Sequence, residues 1–149
     1  MTSSAGDVAR ALYRALGQGD VAGTLDRLAE DVILDEPPEL PWGGVHRGHD
    51  AFVGLVLAGM TAGVDMAIAE VVVIAGEDGE VVGRLSGTFT ARATGESIPV
   101  TMVELLDIVG DKVTKVDVYT KDPAALAAFY ARAAVSPEDA TPPSPSLRG

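Results

Sequence analysis

Residues 64–120 constrain this 149-residue chain more than any other stretch. Val64 to Ala75 is rich in β-branched side chains, which suit a pleated, half-buried backbone, and a hairpin turn signal, Glu77-Asp78-Gly79, follows it. Glu80 to Ala91 reads as the return strand. Ala93-Thr94-Gly95-Glu96 turns the chain again, Ile98 to Val109 runs back, and Gly110-Asp111 leads into Val113 to Thr120. Four long strands joined by tight turns predict an antiparallel meander. A sheet of this kind buries one face, so the rest of the chain has to cover it.

The flanking segments have helical spacing. Val8, Leu12 and Leu16 recur at steps of four with Tyr13 beside them, and Gly17-Gln18-Gly19 ends the run. Asp20 caps a second short helix in which Val21, Leu25 and Leu28 share a face. Val32 to Leu34 is a short strand, and Val45-His46-Arg47 a second one. Asp50 starts a third helix carrying Phe52, Leu55, Val56 and Met60. Asp122-Pro123 supplies a cap and then proline at the first helical position, opening a last helix whose apolar face is Leu126, Phe129, Tyr130 and Ala133. The expected class is α+β: helices on one face of a bent antiparallel sheet, forming a cone with an apolar interior. One domain spans residues 1–135. From Ser136 the Pro- and Ser-rich run 136–149 cannot bury enough surface and is expected to be disordered and dispensable.

The formal net charge of −11 argues against nucleic acid and anionic membrane surfaces as partners, because phosphate binding needs a basic footprint. No run approaches the ~20 apolar residues of a membrane span, and Met1-Thr2-Ser3-Ser4 lacks a signal pattern. With no cysteine, disulfides and thiolate chemistry are excluded. The expectation is a soluble, cytoplasmic protein.

Chemistry-bearing residues gather where the first strand ends, in Asp35-Glu36-Pro37-Pro38-Glu39-Leu40-Pro41-Trp42-Gly43-Gly44. Prolines stiffen this exit and the Gly pair allows a sharp turn. A carboxylate held at the rim of an apolar interior has a raised pKa, which suits proton transfer. Glu36 is the foremost candidate, and Asp35, one position away, faces the other side of the strand. Glu104 is the second: alternation puts Met102, Glu104 and Leu106 on one face, where an acid must be protonated, paired or wet. Arg84 or Lys115 on a neighbouring strand would be its structural partner. Asp117, in Lys115-Val116-Asp117-Val118-Tyr119, either serves the site or pairs with Arg84. Tyr13 is a hydrogen-bond donor for the pocket or a core Tyr. Trp42 walls the mouth, and Arg84, Met102, Asp117 and Tyr119 are the remaining candidates for substrate contact. His46 and His49 fall on a turn rather than on one helical face, so no metal is expected. Phosphate loops and Gly-x-Ser-x-Gly are absent. Cofactor-free acid/base chemistry by carboxylates is what these residues allow.

The element order resembles the nuclear transport factor 2-like superfamily, and within it the SnoaL-like and ketosteroid-isomerase-like proteins. The motifs that carry the likeness are Leu12-Tyr13…Gly19-Asp20, Leu28-Ala29-Glu30-Asp31-Val32, Leu40-Pro41-Trp42-Gly43-Gly44…Arg47-Gly48, Ala93-Thr94-Gly95 and Asp111-Lys112-Val113. The resemblance covers roughly residues 5–134. It implies a cone-shaped pocket for an apolar small molecule and a homodimer through the sheet face. It also implies that Glu36 is the counterpart of the proton-moving carboxylate of ketosteroid isomerase, with Glu104 near a protonated acid that donates to an oxyanion. Similarity to epoxide-opening enzymes of polyether biosynthesis would group Tyr13, Glu36 and Asp65. Limonene-type epoxide hydrolases combine an Asp placed like Asp117 with an Arg-x-Asp pair, where this chain reads Arg84-Leu85-Ser86. The function so implied is cyclisation or epoxide opening on polyketide-like substrates, with double-bond isomerisation or non-catalytic ligand binding as alternatives.

Overall fold

Helical segments at 5–27, 49–60 and 123–134 form a cover, and the strands between them form a sheet. The computed structural model describes residues 4–134. Helix α1 (Ala5–Gly17) opens with a reciprocal cap, in which Ser4 Oγ accepts from the Asp7 N–H and the Asp7 carboxylate accepts from the Ser4 N–H. Its buried face includes Val8, Ala9, Leu12 and Tyr13. Helix α2 (Val21–Arg27) is capped by Asp20, which accepts from the Gly23 N–H at 2.9 Å.

Leu28 departs from expectation. Its spacing from Val21 and Leu25 placed it on a helical face, yet it opens strand β1 (Leu28–Glu36), in register with Val113. Sheet pairing overrides local periodicity here, and β1 extends beyond Val32–Leu34 at both ends. Glu36 is therefore the last residue of a strand. Strand β2 (Gly44–Arg47) pairs antiparallel with β1. Helix α3, residues 49–60, is α-helical over His49–Ala51 and Ala58–Met60, with a π-helical segment, Phe52–Leu57, between them. Phe52 and Val56 are buried, whereas Leu55 points outward at 54% exposure.

Strands β3 (Val64–Ala75), β4 (Glu80–Ala91), β5 (Ser97–Val109) and β6 (Lys112–Thr120) form the antiparallel meander, and β6 then lies parallel to β1. The sheet order is β2-β1-β6-β5-β4-β3. A bulge between Ile68 and Glu70 bends β3 beside Gly87. A Cβ on Gly87 would sit 2.9 Å from the Ile68 Cα, so only glycine admits this approach.

Helix α4 (Pro123–Ala134) starts at Asp122, whose carboxylate accepts from the Ala125 N–H at 3.1 Å. Leu126, Phe129, Tyr130 and Ala133 are all buried. Tyr130 is met edge-on by Trp42, Phe129 and Phe89, with ring centroids 4.7, 5.7 and 6.4 Å away, and its hydroxyl donates to the Met60 carbonyl. These contacts tie α4 to the proline turn, the sheet and the end of α3.

The opposite sheet face carries two rows, Val72–Arg84–Val103–Tyr119 and Ile74–Val82–Leu105–Asp117. Ile74 and Leu105 are exposed there. No helix among the described residues is long and apolar enough to cross a membrane. The expected disordered segment, 136–149, lies outside the described residues.

Candidate acid–base site

A cavity of about 420 Å³ lies beneath the curved sheet, and its walls are apolar side chains such as Leu12, Leu34, Phe52, Val56, Met102 and Phe89. Five residues bring polar atoms to it: Tyr13, Glu36, Trp42, Glu104 and Thr120. The volume matches a small organic molecule.

Sheet register positions the two acids. Glu104 stands opposite Val118, while Leu34 and Asp35 of β1 stand opposite Val116 and Asp117. Glu36 thus flanks Val118 from the other side. The two carboxyls project from the same concave face, two strand spacings or about 10 Å apart at the backbone.

Glu36 is 7% exposed, and its Oε1 accepts a hydrogen bond from Trp42 Nε1 at 3.1 Å. The proline turn exists to aim that indole. Leu40 N–H donates to the Pro37 carbonyl at 3.1 Å and Gly43 N–H to the Leu40 carbonyl at 2.8 Å, folding Trp42 back into the interior. His46 Nε2 then lies 2.8 Å from the Trp42 carbonyl, where its N–H donates. Trp42 is an interior wall at 4% exposure, not a lid over the mouth.

Glu104 takes a different partner from those expected. Its Oε1 accepts from the Tyr13 hydroxyl at 2.8 Å, because Arg84 and Lys115 both project from the other face of the sheet. Gly83, opposite Glu104 in the sheet, makes room for the ring. A Cβ there would come 2.6 Å from Tyr13 Cζ. Gly83→Ala is therefore predicted to push the ring away and strand a buried acid without its donor. The expected loss is about 1–3 kcal/mol of stability, read by thermal denaturation. An unchanged melting temperature would show that the Tyr13–Glu104 contact does not hold this corner of the fold.

Electrostatics separate the two acids from ordinary carboxylates. Burial, and then the charge of Glu104, push the Glu36 pKa up to about 8, against the lowering effect of the Trp42 hydrogen bond. Burial raises Glu104 as well, partly offset by the Tyr13 hydroxyl. Burial and the Glu104 carboxylate hold Tyr13 above the usual phenol range, so it stays a neutral donor. Burial thus favours the protonated form of both carboxyls, and the charge of Glu104 adds to that effect at Glu36.

The other sequence candidates lie elsewhere. Asp65 is on the outer face, ion-paired with Arg92 at 2.8 Å. Asp117 does not meet Arg84. Its carboxylate accepts from the Tyr119 hydroxyl at 3.1 Å, and both residues border a second groove that Asp35, Glu36, Glu39, Thr120 and Pro123 also line. Arg84, Asp117, Tyr119 and Asp65 are thus not cavity residues, whereas Tyr13, Glu36, Trp42, Met102 and Glu104 are brought together. His49 Nε2 is 2.9 Å from the Leu28 carbonyl, so both histidines serve backbone. Among the described residues no cluster of His, Cys, Asp and Glu could hold a metal. Thr120 was missed by sequence reading. Its signal was parity, two residues beyond the inward Val118 on β6.

A curved six-stranded sheet closed by helices over an apolar cavity defines an α+β cone of the nuclear transport factor 2 type. The chain belongs to the SnoaL-like domain family, whose model matches residues 9–116. Among solved structures it is similar to a Xanthomonas campestris protein of unknown function with a cystatin-like fold, at 27% identity and TM-score 0.75, covering 86% of this chain and 98% of that one. It is also similar to an NTF2-like protein of Burkholderia xenovorans LB400, at 27% identity and TM-score 0.70 over 90% and 98% of the two chains. A Pseudomonas putida KT2440 protein provisionally named a polyketide cyclase shares the fold at 22% identity and TM-score 0.70, over 80% and 93%. No curated protein matches the sequence.

Proposed function

We propose that this chain is a cofactor-free tailoring enzyme that closes rings or opens epoxides on apolar, polyketide-like molecules, with Glu36 as acid and Glu104 as base. The observation that carries this reading is the pair of carboxyls on one wall of an apolar cavity, both held toward their protonated form by burial. The provisional cyclase name of the Pseudomonas putida relative agrees with it.

In epoxide opening, Glu104 takes the proton of a substrate hydroxyl or a water. That oxygen attacks an epoxide carbon, one C–O bond forms and one breaks, and Glu36 gives its proton to the departing oxygen. Return of a proton from Glu104 to Glu36 resets the pair. The apolar walls hold the carbon skeleton and keep bulk water from competing. Each carboxyl keeps its fixed donor, Trp42 or Tyr13, so neither has to reorganise during the step.

A second reading reverses the roles. Tyr13 and Glu104 lie 2.8 Å apart, and two such donors would stabilise an enolate while ionised Glu36 carries a proton between carbons. The pH dependence separates the two. With Glu36 as acid, kcat/KM on an epoxide-bearing polyketide-like substrate falls as pH rises through about 8. Activity that instead rises toward that pH, on an unsaturated ketone, would put Glu36 in the base role and overturn the first reading.

A further inference from the structure

The turn that aims Trp42 at Glu36 is short of hydrogen bonds of its own. Pro37, Pro38 and Pro41 bring no backbone N–H to it. Its two internal bonds run to the Pro37 and Leu40 carbonyls, and among the described residues no turn or loop N–H reaches the carbonyls of Trp42 and Gly43. One side chain takes both. His46 Nε2 lies 2.8 Å from the Trp42 carbonyl and 3.2 Å from that of Gly43.

Strand pairing puts the imidazole there. His46 stands opposite Leu34 of β1, a cavity residue, so its side chain shares the inward face. Gly44, at φ 102°, turns the chain between residues 42 and 46 and lets the ring fold back over the turn. Both neighbours are carbonyls, which only accept, so Nε2 carries its hydrogen whether or not the other ring nitrogen is protonated. The clamp therefore holds across pH. Indole is rigid, and the direction of its N–H follows from where the backbone of residue 42 sits. Edge-on packing by Tyr130 at 4.7 Å tolerates a small shift of that backbone. The directional bond from Trp42 Nε1 to Glu36, at 3.1 Å, does not.

We propose that His46 is a positioning residue: by clamping the Trp42 and Gly43 carbonyls it holds the indole N–H on the Glu36 carboxyl. This rests on the acid–base reading of the cavity and adds a control on it from a residue outside the cavity lining. The Trp42 bond favours the ionised form of Glu36, against burial and the charges of Glu104 and Asp35. Loosening that bond leaves Glu36 a weaker acid.

The test reads the Glu36 carboxyl by carbon-13 NMR of the full-length protein, labelled at glutamate side-chain carboxyls, in the parent, His46→Leu, His46→Ala and His46→Gln. The first two variants remove the donor at different side-chain sizes, so the test survives if one of them does not fold. The third returns an amide N–H at the reach of Nε2. The expected result is a Glu36 midpoint raised by about half to one pH unit in both donor-free variants, an acid about three- to tenfold weaker. His46→Gln stays close to the parent. Emission from Trp42, the one tryptophan of the chain, moves in the donor-free variants and holds in His46→Gln. A parent-like midpoint in His46→Leu and His46→Ala would show that the turn holds Trp42 unaided. An equal rise in all three variants would make His46 a packing residue. Each overturns the proposal and leaves the acid–base reading standing, because the parent midpoint stays at about 8. A parent midpoint at the ordinary 4.5 overturns that reading, and the proposal falls with it.

Discussion

Glu36→Gln lowers turnover by about 10²-fold or more and leaves ligand binding in place, the usual worth of a positioned acid. The substitution preserves the size of the side chain, and the amide oxygen still accepts from Trp42 Nε1, so the wall of the cavity stays intact. What it removes is a proton that can be given away at neutral pH. The loss should therefore appear in kcat with KM nearly constant, as for an interaction made only in the transition state. Binding of naphthalene, an apolar probe with no oxygen to meet residue 36, measured on the same variant, controls for the cavity. Unchanged turnover would mean that Glu36 carries no proton in the reaction. A parallel loss of binding would make it an anchor rather than an acid.

The protein should also lose stability as pH rises from 5 to 9, by more than its surface charge alone would bring. An exposed carboxylate in an ion pair stabilises the fold as it ionises. Glu36 does the opposite. Between its ordinary value of 4.5 and about 8, the folded chain keeps a proton that the unfolded chain has released. Folded molecules then bind more protons than unfolded ones, so stability falls with pH across that window and levels off above it. At about 1.4 kcal/mol for each tenfold in proton affinity, the full cost is on the order of 5 kcal/mol, a large share of a domain's stability. Glu104, also raised by burial, adds in the same direction. Urea denaturation at pH 5, 7 and 9 reads the effect, and Glu36→Gln isolates it from the surface charge. The variant should lose most of the slope and exceed the parent at pH 9. Parallel profiles for the two proteins would mean that Glu36 ionises as easily in the fold as outside it.

Much of this architecture was legible because the meander advertises itself. The bounds of β3 and β4 follow from β-branched runs and the Glu77-Asp78-Gly79 turn, and the four inward residues of α4 follow from spacing after a Pro start. Leu28 misled because three apolar residues at helical steps look alike whether or not the third leaves the helix; only its pairing with Val113 decides. The π-helical turn at Phe52–Leu57 has no composition signal, and it turned Leu55 outward.

The site was half legible, and the division follows strand parity. Glu36 and Glu104 alternate with outward residues and share the face of Leu34, Met102 and Leu106, so counting by twos reaches them. The same count places Asp117 between inward Val116 and Val118, Arg84 between Gly83 and Leu85, and Asp65 between Val64 and Met66. Family likeness drew these three toward the pocket where alternation alone would have left them outside. The Tyr13–Glu104 bond joins residues 91 positions apart, and no local pattern reports it. Gly83 is the residue that admits it, and a glycine in a strand gives no sign of what approaches it.

The central claim is that burial holds both cavity carboxyls toward their protonated form, with the charge of Glu104 adding to that effect at Glu36. Carbon-13 NMR of side-chain carboxyl-labelled glutamate, titrated from pH 3 to 10 and assigned with Glu36→Gln and Glu104→Gln, tests it directly. The account predicts that the Glu36 resonance titrates with a midpoint near about 8, and that this midpoint drops when Glu104 is made neutral. Two carboxyls that both ionise near the ordinary value of 4.5, each indifferent to the other's substitution, would contradict it.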